Sequence, residues 1–81
     1  MRYEVTTSLK PQQALDRVAA HFGPQGLGLE ITAKDESSLV FQGGGGHVAV
    51  MVQPSDTAKT TLEIETREWD HAVRQFMAEI H

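Results

Sequence analysis

Four histidines, four serines, a set of glutamates and a run of four glycines are the residues of this chain whose types could do chemistry. The histidines are His21, His47, His71 and His81. None is paired with another at i, i+4 on a helix, and none forms an H-x-H on a strand, so a zinc site would need ligands brought together from across the fold. No metal site is expected. The serines, Ser8, Ser37, Ser38 and Ser55, fall at a cap or in turns, and none stands in a G-x-S-x-G elbow. No catalytic residue and no cofactor site is assigned, and the reading leans away from an enzyme.

The glycines lie in "FQGGGGHVAV", Phe41 to Val50, and account for four of the seven in the chain. A phosphate-binding loop would need a following Lys and Ser or Thr, then a helix whose N-terminus faces the phosphate. Here His47 and an apolar alternation follow instead. A hairpin fits better. A turn centred on Gly44-Gly45 sets Gln42 opposite His47, Phe41 opposite Val48, Val40 opposite Ala49 and Leu39 opposite Val50. Every inward residue then meets an inward residue, and a one-residue slip breaks the pattern. Gly44 and Gly45 are expected at positive φ, which glycine adopts without steric penalty. Gly43 and Gly46 exceed what the turn requires. A wide bulge or the close approach of another chain are the candidate reasons. If they merely flank the turn, they tolerate alanine better than the central pair.

The elements that carry these residues follow from periodicity. "RYEVTTS" alternates Tyr3, Val5 and Thr7 against Arg2, Glu4 and Thr6, as a half-buried strand does. In "LKPQQALDRVAAHFGPQG", Leu15, Val18, Ala19 and Phe22 share one helical face. Pro11 suits the first turn, Ser8 is a candidate N-cap, and Gly23-Pro24 ends the helix. "LGLEITAK" points Leu27, Leu29, Ile31 and Ala33 inward. "SLVFQ", "HVAVMVQ" and "TTLEIET" are three more strands, and "PSDT" is a turn. "REWDHAVRQFMAEI" places Trp69, Val73, Phe76, Met77 and Ile80 at helical spacing, with Thr66 as the candidate cap. The order is β-α-β-β-β-β-α.

This order predicts one small α+β domain over residues 1–81, a five-stranded antiparallel sheet with both helices on one face. Pairing Ile31 with Phe41, Val50 with Ile64, and Ile64 with Val5 keeps the apolar residues together. The expected core is Val5, Leu15, Val18, Phe22, Leu29, Ile31, Leu39, Phe41, Val48, Val50, Val52, Leu62, Ile64, Trp69, Val73, Phe76 and Ile80. The opposite face stays open. It carries Arg2, Glu4, Thr6, Glu30, Thr32, Val40, Gln42, His47, Ala49, Met51, Thr61, Glu63 and Glu65. In this register Glu4 lies across from Glu65, and like charges so placed either raise a pKa or hold a cation. A solvated face with well-hydrated carboxylates is the plainer reading.

The β-α-β-β-β-β-α order with the long C-terminal helix "REWDHAVRQFMAEI" resembles the TATA-binding-protein-like and helix-grip (Bet v 1 and START-type) architectures. The resemblance spans the whole chain and rests on element order, with no diagnostic motif. It implies a DNA-reading sheet face in the first group and a hydrophobic ligand between helix and sheet in the second. The chain departs from both. Its open face is acidic where the TATA-binding protein is basic and aromatic, and its sheet is shorter than a helix-grip sheet. No functional residue is carried over.

Composition narrows the function further. The net charge is −4, with Lys and Arg scattered. Nucleic-acid binding needs a clustered positive face, and no basic amphipathic helix suits a membrane surface. There are no cysteines, so no disulfide or thiolate metal site supports the 81 residues. No apolar run follows Arg2, no stretch approaches a membrane span, and a cytoplasmic location is the default expectation. What remains is a small non-catalytic binding or interaction module. A second copy of the chain or another protein is its candidate partner. The alternative is a minimal helix-grip binder of a hydrophobic ligand between the C-terminal helix and the sheet. Candidate contact residues for the two readings are Val40, Met51, His47 and Gly43, Gly44, Gly45 and Gly46, together with Trp69, Phe76 and Phe41.

Overall fold

A computed structural model describes residues 1–54 and 58–80. The elements are β1 (Arg2–Thr7), α1 (Pro11–Phe22), β2 (Glu30–Asp35), β3 (Ser38–Gly43), β4 (Gly46–Pro54), β5 (Thr60–Arg67) and α2 (Asp70–Ile80). All strand pairs are antiparallel, in the order β1-β5-β4-β3-β2. The α+β architecture expected from the sequence is therefore present, and it is compatible with a helix-grip-like arrangement. The "PSDT" turn beyond Pro54, with Ser55, and His81 lie outside the described residues.

Each helix buries one stripe. α1 buries Ala14, Leu15, Val18 and Phe22, and α2 buries Ala72, Val73, Phe76 and Ile80. These meet the inward residues of β3, β4 and β5 to form one core. Phe22 lies at its centre, with ring centroids 5.8 Å from Phe41 and 5.4 Å from Phe76. Two expected core members fall outside it, Ile31 and Trp69, and two small residues enter it, Ala14 and Ala72. Alanine at a helix–sheet contact lets the backbones approach, and its small side chain gives little periodic signal.

Both expected helix caps are corrected. α1 begins at Pro11 with Lys10 as N-cap, and the Lys10 N–H is held by Gln13 Oε1 at 3.1 Å. Proline's fixed φ and missing N–H favour the first helical position, which leaves Ser8 too far upstream to cap. Thr66 is not a cap either. β5 continues to Arg67, and the buried Thr66 hydroxyl donates to the His47 carbonyl at 2.8 Å.

The β2 region is corrected as well. Only Leu29 turns inward, whereas Leu27 and Ile31 are 43% and 38% exposed. The N–H groups of Leu27 and Leu29 return to the α1 carbonyls of His21 and Phe22, at 3.0 and 3.1 Å. Backbone groups spent on a helix terminus cannot also pair with β3, so the strand starts at Glu30. A bulge between Ile31 and Ala33 then sets Ala33 opposite Val40, on the open side of the sheet.

The glycine hairpin has the expected register, from Leu39 opposite Val50 to Gly43 opposite Gly46. Gly44 and Gly45 have φ of +59° and +80°, the signature of a type I′ turn. The flanking glycines have a separate role. Glu68, at φ +75°, turns the chain out of β5, and this corner packs on the hairpin. The Trp69 indole N–H donates to the Gly43 carbonyl at 2.9 Å. A Cβ on Gly46 would strike the Arg67 carbonyl and lie 2.6 Å from Glu68 Cβ. The close approach that Gly46 permits is thus made by the chain's own β5–α2 corner, and the one at Gly43 by the Leu29 side chain. Gly45 has open space around it, so Gly45→Ala is expected to lose only about 1 kcal/mol, from the positive φ alone. A thermal-unfolding comparison with the parent protein checks this value.

Candidate interaction surface

The face of the sheet opposite the helices is a grid whose positions are fixed by strand register. One row reads Ala33, Val40, Ala49, Glu65 and Arg2 from β2 to β1. The next reads Asp35, Ser38, Met51, Glu63 and Glu4 in the same direction. The face is therefore divided along the strands. In these two rows β3 and β4 present Val40, Ala49 and Met51 beside Ser38, β5 and β1 present Glu65, Glu63 and Glu4 with Arg2, and β2 adds Asp35 at the edge.

The sequence-based register of β1 is corrected here. Glu4 lies across from Glu63 rather than Glu65, and Arg2 takes the place opposite Glu65. The same two-residue shift sets Tyr3, not Val5, opposite Ile64. It preserves which face each side chain occupies, because side chains repeat every second residue. Arg2 is thereby brought to Glu65, while Glu4 and Glu63 remain a directly opposed like-charged pair.

These rows line a shallow trough of about 680 Å³ bounded by Arg2, Glu4, Ser38, Met51, Glu63 and Glu65, with Val40 and Ala49 in its floor. Val40 and Ala49 are half-buried, and Met51 is 48% exposed, the largest apolar side chain presented there. The face continues toward the hairpin, where Gly43, Gly45, Gly46, His47 and Arg67 border a second shallow depression.

His47 Nε2 lies 2.5 Å from Glu65 Oε1. This hydrogen bond holds the Glu65 carboxyl below its ordinary value of 4.5, aided by the positive charge of Arg2. A carboxyl whose folded pKa is depressed adds stability above its unfolded pKa, and that stability is lost as pH falls through the lower folded value. Glu65→Gln is therefore expected to flatten the acid limb of the stability–pH profile below the ordinary carboxylate range. Thermal midpoints measured from about pH 6 down to 2 test this; parallel profiles for the two proteins would contradict it.

The residues singled out from the sequence separate into three places. Val40, Met51 and His47 share the open face. Phe41 and Phe76 are core residues, 0% and 2% exposed. Trp69 sits against the hairpin, bonded to Gly43. Arg2, Ser38, Glu4, Glu63 and Glu65 line the trough although the sequence did not mark them as contacts. Their alternation with core residues placed the glutamates on this face, but only the strand order sets them beside Met51. Among the described residues, no group of three or more His, Cys, Asp or Glu is arranged to hold a metal ion. No helix among them is long and apolar enough to cross a membrane. No protein-family model matches the chain, and no curated protein is significantly similar to it.

Proposed function

We propose that the protein is a small non-catalytic interaction module and that the uncovered sheet face is its contact surface. The observation that carries this reading is the trough itself, where Val40, Ala49 and the exposed Met51 form an apolar strip that neither helix covers. An exposed apolar surface rimmed by polar groups is the usual form of a binding site on a small domain. The helix–sheet interior offers less. A ligand there would have to displace Phe22, Phe41 or Phe76, which pack ring against ring.

Native mass spectrometry of the protein from its own host tests the proposal, with Met51→Asp in parallel. Association with a second copy or another protein is expected for the parent chain and is expected to be lost in the variant. Equal association of both would reject the open face as the surface. Nucleic acid is not the expected partner, because Glu4, Glu63 and Glu65 repel phosphates and outnumber Arg2 in the trough. Duplex and single-stranded DNA are expected to show no salt-sensitive binding near physiological ionic strength.

A further inference from the structure

Resting on that reading, the geometry points to a specific kind of occupant, an amphipathic helix of a partner protein with Lys or Arg flanking its apolar stripe. Three features of the face lead there. The first is its shape. The trough lies across β3, β4, β5 and β1, each of which lines it with no more than three residues. Four strands about 4.8 Å apart span roughly 14 Å, the length of about nine helical residues laid across them. A concave surface receives a convex object, so a helix fits where a second copy of the same trough does not.

The second feature is the division of the face. Val40, Ala49 and Met51 lie beside one another, and Glu63, Glu65 and Glu4 lie immediately to one side. A helix laid across the strands that sets Leu or Met side chains on the apolar half places its next turns over the carboxylates. Lys or Arg in those turns would gain opposite charges, and their long stems would cover the strip between.

Charge balance is the third. Face-to-face pairing of two copies would bury carboxylates either over Val40 and Met51 or against the partner's acidic half. Among the described residues, Arg2 is the single cation lining the trough, against Glu4, Glu63 and Glu65. Burying unpaired carboxylates is costly. A cationic helix removes that cost and also relieves the opposed Glu4 and Glu63.

The test uses three synthetic helical peptides with one shared leucine stripe and with Lys, Gln or Glu at every other position. Each is titrated into isotopically labelled protein while amide shifts are followed. The Lys peptide is expected to bind, with shifts confined to β1, β3, β4 and β5. Glu4→Gln/Glu63→Gln removes a repulsive pair and leaves the fold intact, so it serves as the binding variant. Its affinity for the Lys peptide is expected to fall about tenfold, and the Glu peptide is expected not to bind. If the Gln peptide binds as tightly as the Lys peptide and the double variant changes nothing, the face is a contact surface but the cationic inference is wrong. Shifts confined to α1 and α2 would reject both the inference and the surface. If no peptide binds, the inference is overturned. A concentration-dependent dimer abolished by Met51→Asp would then leave the surface reading standing, with a second copy as its occupant.

Discussion

Phe76→Ala is expected to destabilise the protein by about 3–5 kcal/mol, the cost of removing a buried phenylalanine and leaving a cavity. Phe76 is 2% exposed. Its ring lies 5.4 Å from that of Phe22 and 5.2 Å from that of His21. Phe22 in turn reaches Phe41 on β3, so the truncation opens the point where both helices meet the sheet. At the usual 0.05–0.15 kcal/mol per residue, 81 residues hold about 4–12 kcal/mol in total. The loss is therefore a large share of the total stability, and urea titration measures it directly. Phe76→Leu, which keeps most of the volume, is expected to lose about 1.5 kcal/mol or less. A midpoint for Phe76→Ala near that of the parent protein would mean that α2 is not packed through this residue.

Gly46→Ala is expected to cost about 3 kcal/mol, the upper part of the range for forcing extra volume into a packed site. The added methyl would strike the Arg67 carbonyl and lie 2.6 Å from Glu68 Cβ and 3.0 Å from the Arg67 carbonyl carbon. Two of these are backbone atoms, so the corner itself must move. That corner carries Trp69 to its hydrogen bond with Gly43. Gly43→Ala is expected to be milder, because its Cβ meets chiefly the end of the Leu29 side chain. Chemical denaturation of Gly43→Ala, Gly45→Ala and Gly46→Ala, with tryptophan fluorescence as the probe, ranks the three. Gly46→Ala is expected to be the least stable and to report a displaced Trp69. A stability for Gly46→Ala equal to that of Gly45→Ala would show that the corner does not rest on the hairpin.

The ranking reverses what the turn alone implies, since the central glycines hold the positive φ values. Turn chemistry is local and visible in four consecutive letters. The crowding at Gly46 comes from Arg67 and Glu68, which no local pattern connects to it. The caps illustrate the same point. Thr66 has a capping side chain near a helix, but continued pairing of β5 with β4 sends its hydroxyl to the His47 carbonyl instead.

Binary patterning determined the element order, the inward residues of β3, β4 and β5, and the two helical stripes, because each face repeats along the chain itself. The β3–β4 register was equally legible, since a two-glycine turn ties those strands directly and fixes their alignment. No turn joins β1 to β5, which are brought together only by the completed sheet. Patterning there fixes which face a side chain takes but not its partner, because a two-residue slide leaves every face unchanged. Tertiary structure decided that Arg2, not Glu4, opposes Glu65. It also decided that Ala33 crosses to the open side, since a bulge leaves the sequence alternation intact while shifting the pairing. The acidic half of the face could be read from the sequence. Its position beside Val40, Ala49 and Met51 depends on strand order, which is a property of the whole fold.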